Sequence, residues 1–152
     1  MIYLLDTDTL VYLIRGLKIE SPRNDRQKAR LRTARRILAR CRKEQVAGAI
    51  VALSSMTVAE LEFGARQSGD YAREIAAVRK ILVPFAIYDF DAHGCSEHYG
   101  DVRHHLEVSG TTIGAMDLLI AGHAKALDAT MVTNNLSHFT RVPGLVCENW
   151  TK

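Results

Sequence analysis

The stretch IYLLDTDTLVY, residues 2–12, places two carboxylates two positions apart directly after a run of aliphatic side chains. Residues 2–6 are predicted to form a strand that is buried on both faces, because parallel strands read as continuous apolar runs. A short helix is predicted over about 9–15, with Gly16 as its end. Asp6 therefore stands at the carboxyl end of a strand, the edge at which open parallel sheets form their sites.

Further apolar runs of strand length alternate with helical patterns along the rest of the chain. They are AIVALS at 49–54, FAIYDF at 85–90, ATMVT at 129–133 and a short segment near 145–148. Hairpin signals are almost absent, and strands that alternate with helices are typical of a parallel sheet. We therefore predict an α/β fold, and the length of 152 residues predicts a single domain over 1–152.

The net charge of +3 is unevenly distributed. Residues 18–44 carry a local balance of +8, whereas the remainder of the chain sums to −5. Apolar residues recur at helical spacing within this segment, so it is predicted to be an amphipathic helix with an arginine-rich outer face. Neither a signal peptide nor an apolar run of membrane-spanning length is visible, and the three cysteines form no paired motif. A cytoplasmic protein is expected.

Several acids fall where the predicted topology brings strand ends together, and each has a structural alternative. Asp6 could cap the following helix, but a carboxylate emerging from a buried strand favours function, and the cap or a supporting role is assigned to Asp8. Glu60 completes a capping-box pattern with Thr57 and is assigned a structural role on that motif alone. Asp117 begins an apolar helix, where a buried acid should be paired or coordinated.

If three carboxylates do converge, each like-charged pair at about 4 Å would cost on the order of 4 kcal/mol at an effective dielectric near 20. A divalent cation would remove that conflict, and hard oxygen ligands favour Mg²⁺ or Mn²⁺. Asn135, after the fourth strand, could hold a water or serve only in a turn. Among the histidines, His123 is expected in the core and His138 on a surface turn.

Four blocks of the chain resemble, in content and order, the PIN-domain family, and specifically the VapC-type toxins of bacterial toxin–antitoxin pairs. The blocks are YLLDTDTLVYLI, SSMTVAELEFGARQS, GTTIGAMDLLIAGHAKAL and VTNNLSHFTRVPGLVCENW. The resemblance implies a three-layer α/β/α domain with a central parallel sheet of four to five strands. A basic helical insertion at about 18–46 departs from the shorter connection that members commonly have.

The resemblance also implies roles for individual residues. Three acids would bind the metal and act in catalysis: Asp6, Glu60 and Asp117. This role for Glu60 replaces the structural one, although one side chain can cap and coordinate together. Asn135 stands where many PIN domains carry a fourth acid, so the number of metal ions is left open, and it would act in catalysis by positioning water. Three more residues would lie around the site: Thr7, Asp8 and Thr133.

The implied function is a metal-dependent endoribonuclease toxin that uses Mg²⁺ or Mn²⁺ to activate water and leaves a 5′-phosphate and a 3′-hydroxyl. Its implied partners are RNA, a cognate antitoxin protein and a second copy of the chain in a homodimer. The arginine face could grip RNA, or it could dock an antitoxin, through four residues: Arg32, Arg35, Arg36 and Arg40. Two alternatives remain: a non-catalytic RNA- or protein-binding PIN domain, and a small Mg²⁺-dependent phosphatase, since strand-Asp-x-Asp-x-Thr also begins haloacid-dehalogenase-type phosphatases.

Overall fold

The computed structural model describes residues 1–152 and contains one sheet of five parallel strands. In chain order the strands β1 to β5 are Ile2–Leu5, Ile50–Ser54, Ala86–Tyr88, Thr130–Val132 and Cys147–Glu148. Their spatial order is β3-β2-β1-β4-β5. All five coincide with the apolar runs in the sequence, which confirms the prediction of an α/β fold with four to five parallel strands.

Seven helices, α1 to α7, accompany the sheet and form layers on both of its faces. They are Thr7–Leu17, Asp25–Val46, Ser55–Gln67, Tyr71–Leu82, Gly94–Val108, Ala115–Ala126 and Leu136–Phe139. Helices α1 to α4 share one apolar cluster with Tyr3 and Leu5 of β1, whereas α5, α6 and α7 share a second cluster with Leu4. Because successive side chains of a strand point to opposite faces, β1 is buried on both sides, and the three-layer prediction is confirmed.

Helix α2 accounts for most of the basic segment. It runs for 22 residues from Asp25 to Val46 and buries only Leu31, Ala34, Ile37 and Cys41. Ala34, Ile37 and Cys41 belong to the first apolar cluster, and most of the arginines lie on the opposite side of the helix, as the helical spacing predicts. No helix in the protein combines the length and the apolar character that a membrane crossing requires.

Gly16 is the penultimate residue of α1, so the helix ends one residue beyond the position that the sequence predicts. A Cβ atom on Gly16 would lie 2.3 Å from the Cβ of Ala34 and 2.7 Å from the carbonyl oxygen of Arg30, both on α2. The missing side chain therefore allows α1 and α2 to approach closely. Tertiary packing overrides the low intrinsic helix propensity of glycine at this position.

Candidate active site

Asp6 directly follows β1 and begins α1. Its backbone N–H donates to the carbonyl of Val132 over 2.9 Å, which ties it to β4. Its side chain accepts a hydrogen bond from the N–H of Thr9 over 2.8 Å and is the N-cap of the helix. The cap that the sequence assigned to Asp8 is therefore wrong, because Asp8 lies in the first turn and is exposed. Capping does not exclude a second role for Asp6.

The carboxyl group of Asp6 is held in an unfavourable environment for charge. The residue is only 3% exposed. Burial is the main cause that raises its pKa above the ordinary value, and the negative charge of Asp8 adds to it. Hydrogen bonds from the Thr133 hydroxyl and from Thr9 act in the opposite direction. A cation beside this carboxylate would relieve the cost of burying it.

Asp117 lies in the first turn of α6, where it is partly buried. Burial is again the main cause that raises its pKa, and Asp8 again adds to the effect, while His138 opposes it. The charge of Asp8 thus acts on both Asp6, which follows β1, and Asp117, in the first turn of α6. Neither Asp6 nor Asp8 forms an ion pair with Lys or Arg.

Asn135 and His138 are neighbours of Asp117 from the β4–α7 segment. The amide nitrogen of Asn135 lies 2.8 Å from Nδ1 of His138, and that Nδ1 lies 3.5 Å from Oδ2 of Asp117. The Oδ1 of Asn135 accepts from Ser137 over 3.2 Å, an orientation in which its NH₂ group donates to His138. Because one ring nitrogen cannot donate and accept at once, the tautomer of His138 decides whether Nδ1 donates to Asp117 or accepts from the NH₂ group of Asn135.

Thr133 joins the two halves of this region. It is fully buried, and its Oγ1 accepts a hydrogen bond from the N–H of Asn135 over 2.9 Å. Its hydroxyl also bonds the carboxyl group of Asp6. Since a hydroxyl can donate one hydrogen and still accept, Thr133 connects the residue that follows β1 to the residues that follow β4.

Glu60 lies farther along α3 and is exposed, without a side-chain hydrogen bond or ion pair. The capping-box interpretation is wrong, because α3 begins at Ser55 and Ser54 caps it by accepting from the N–H of Met56 over 3.1 Å. The hydroxyls of Thr7 and Thr57 lie 3.1 Å apart. This contact holds the first turn of α1 against the turn of α3 that precedes Glu60.

The donor chemistry of the region fits a hard divalent cation. Its side chains offer carboxylate and amide oxygens, and two of the carboxyl groups have pKa values raised by burial. The protein does not, however, bring any three His, Cys, Asp or Glu side chains together as a ready-made ligand set. Asp8 acts electrostatically on both Asp6 and Asp117, whereas Glu60 is not among the groups that perturb them.

The four arginines singled out on α2 have different surroundings. Arg32 and Arg35 are exposed and make no side-chain hydrogen bond. Arg36 donates to the carbonyl of Thr151 over 3.0 Å. Arg40 pairs with Glu44 and Glu148 and lies 5.1 Å from the ring centre of Trp150. The C-terminal segment of the chain therefore already contacts two of the four arginines, Arg36 and Arg40.

His138 is the residue near the site that sequence reasoning missed, because it was assigned to a surface turn. The sequence signal that could have found it is its position three residues after Asn135, which caps the short helix α7, since residues three apart on a helix are neighbours. His123, expected in the core, is fully buried with Nδ1 2.8 Å from Oγ of Ser54. Its Nε2 has no partner, so it is only half satisfied.

Comparison of the sequence with known proteins identifies the family to which it is similar. The model of the PIN domain matches residues 3–145. The chain is 37% identical to "Ribonuclease VapC2" of Rickettsia felis over 152 residues, all of both chains. It is also 32% identical over 148 residues to "tRNA(fMet)-specific endonuclease VapC" of Salmonella typhimurium, which covers 97% of each.

Solved structures give the same result. A crystal structure of VapBC2 from Rickettsia felis bound to a DNA fragment from its promoter superposes with a TM-score of 0.78 at 35% identity, covering 99% of both chains. DNA-bound VapBC from Salmonella typhimurium superposes with a TM-score of 0.80 at 31% identity, covering 99% of this chain and 98% of that one.

Proposed function

The chain belongs to the PIN-domain family and to its VapC-type ribonucleases, and we propose that it hydrolyses RNA with a divalent cation held by Asp6, Asp117 and Glu60. The observation that carries the proposal is the pair of carboxyl groups whose pKa values are raised by burial and by a shared acidic neighbour, without a Lys or Arg partner. Mg²⁺ or Mn²⁺ suits such oxygen donors. When bound, the cation would lower the pKa of a water and offset the charge of the phosphodiester.

Other residues of the chain orient the side chains that would bind the cation. The N–H of Thr9 holds Oδ1 of Asp6, and the hydroxyl of Thr133 stabilises the charged form of this carboxyl group. Asn135, held by Ser137 and Thr133, presents its amide toward His138 beside Asp117. Asp8 adds negative charge that favours cation binding, and Thr7 keeps the turn before Glu60 in place. Residues that orient ligands in this way commonly change metal affinity or activity by about 10–100-fold when they are removed.

The experiment that tests the function measures cleavage of a labelled single-stranded RNA by the purified protein. We expect cleavage with Mg²⁺ or Mn²⁺, none with EDTA, and recovery when excess cation is restored. Cleavage that continues unchanged in EDTA would contradict the metal site. Absence of cleavage on a broad RNA pool, with cation present and the protein folded, would contradict the nuclease.

An antitoxin is the partner that we propose for this chain. The similar structures from Rickettsia felis and Salmonella typhimurium are VapBC assemblies. We also propose that the chain forms a homodimer. Co-purification with the product of a neighbouring short open reading frame would test the first proposal, and light scattering of the isolated chain would test the second.

Arg32 and Arg35 are the arginines of α2 that we propose contact the RNA backbone, since the C-terminal segment already engages Arg36 and Arg40. Neutralising both, in Arg32→Gln/Arg35→Gln, should flatten the dependence of log affinity on log salt by about 0.7 for each phosphate that the variant no longer neutralises. Fluorescence anisotropy of a labelled RNA in EDTA measures this slope. An equal change in Arg79→Gln/Arg103→Gln, which removes two charges from α4 and α5, would mean that only net charge matters.

A further inference from the structure

A cavity of about 320 Å³ lies between α1 and α2, beside the acidic region. It is lined by seven residues: Asp8, Val11, Tyr12, Arg15, Gly16, Arg30 and Asn134. Ligand sites range from about 300 to 1,000 Å³, so this volume suits one molecule of about the size of a nucleotide. Two of its lining residues, Asp8 and Asn134, lie two residues from Asp6 and one residue from Asn135, so the cavity adjoins the candidate active site.

The helical spacing of α1 explains how the cavity is built. Asp8, Tyr12 and Arg15 follow one another at intervals of four and three residues, so they share one face of the helix. Gly16 lets the backbone of Arg30 approach that helix closely. With a rise of 1.5 Å per residue, Arg15 stands roughly 10 Å along the axis from Asp8. The cavity therefore has a basic end and an acceptor end.

Each end lacks a partner within the chain. Arg15 and Arg30 are exposed and take part in no ion pair. At the other end Asn134 lines the cavity, and its Oδ1 is buried, closed to solvent and without a hydrogen-bond donor, so the amide must turn into the cavity to accept from a ligand. Buried acceptors are rarely left without a partner. Tyr12 lies between the two ends, 44% exposed, and its ring offers a surface on which a base could stack.

We propose that this cavity binds one nucleotide of the RNA next to the scissile bond, with its phosphate on Arg15 and Arg30 and its hydrogen-bond donors on Asn134 and Asp8. A nucleotide carries an anionic phosphate at one end and N–H or O–H donors on its ribose and base, so it can reach both ends of the cavity, whereas the O–H groups of inorganic phosphate lie on the phosphate itself. The acceptor end adjoins the acidic residues at which the RNA would be cleaved, and this favours RNA over an acidic peptide. The inference rests on the proposed function for taking the polymer to be RNA.

The test is a binding assay in EDTA, which does not depend on catalysis. A labelled single-stranded RNA is bound to the folded protein and competed with nucleoside 5′-monophosphates, their 2′-deoxy forms, inorganic phosphate and poly-glutamate. We expect Arg15→Gln/Arg30→Gln to weaken RNA binding by about tenfold or more, because each arginine loses a charged hydrogen bond. Its salt slope should fall by about 0.7 to 1.4, for one or two phosphates. Asn134→Ala should weaken binding without changing the slope.

The controls distinguish binding at this cavity from a general effect of positive charge and from loss of the nuclease activity. Arg79→Gln/Arg103→Gln should retain the wild-type competition by nucleotides. Ribonucleotides that outcompete their 2′-deoxy forms would identify the ribose hydroxyl as the donor, and equal competition would identify the base. Equal losses in both double variants, phosphate that competes as well as nucleotides, or competition by poly-glutamate alone would overturn the proposal. A protein that cleaves RNA but gives any of these results would keep its proposed function.

Discussion

Asp6→Asn should reduce RNA cleavage by more than about 100-fold while making the cation-free protein more stable. The activity should fall because residues that merely orient metal ligands already contribute about 10–100-fold, and Asp6 is proposed to bind the cation directly. Stability should rise because the carboxylate is buried and its pKa is raised by burial and by Asp8. Asn keeps the cap of α1, since it is as good an N-cap residue as Asp.

The two effects are measured separately, by cleavage of labelled RNA and by thermal unfolding in EDTA. Saturating Mg²⁺ or Mn²⁺ should raise the melting temperature of the wild type, because a ligand that binds only the folded state stabilises it. This shift should vanish in Asp6→Asn. Asp101→Asn, an exposed acid on α5, is the matched control and should leave activity and the cation effect unchanged. An Asp6→Asn variant that is inactive and also less stable would indicate that Asp6 acts through structure.

The sheet could be predicted from sequence because its strands are buried on both faces, which leaves a continuous apolar run at each. The acids at the strand ends followed from the same topology, since Asp6 must lie at the carboxyl edge once residues 2–6 form a strand. Helix ends were less predictable. Gly16 marks the end of α1 to within one residue, whereas Thr57, which carries a capping pattern, lies inside the first turn of α3 with its hydroxyl against that of Thr7.

Such local patterns could not predict contacts between distant parts of the chain. Arg40 looks like any other exposed arginine of α2, but its guanidinium reaches Glu148 and Trp150, more than one hundred residues away. Glu60 was brought into the site only by the resemblance to PIN domains. Its side chain is exposed, so neither spacing nor burial singles it out. The roles of these residues depend on three-dimensional neighbours.

Gly122→Ala should lower the free energy of unfolding by about 1–3 kcal/mol, the usual cost of overpacking a filled interior. Gly122 lies in α6, and a Cβ there would stand 2.8 Å from both the N and the Cα of Tyr99 on α5. Because these atoms are backbone, the two helices must move apart. The better helix propensity of alanine returns only up to about 1 kcal/mol, so the net effect is destabilising.

The same substitution at Gly100 is the matched control, since Gly100 lies in α5 and an added Cβ would meet nothing within 4 Å. Gly100→Ala should therefore be neutral or stabilising by up to about 1 kcal/mol. Urea unfolding of the two variants compares the same chemical change on facing helices. Asp117 lies in the first turn of α6, so separating α6 from α5 should also displace this acid. We therefore expect Gly122→Ala to cleave RNA more slowly than the wild type at temperatures where the variant remains folded. A Gly122→Ala protein as stable as Gly100→Ala would show that the packing of α5 against α6 adapts, and that it does not fix the position of Asp117.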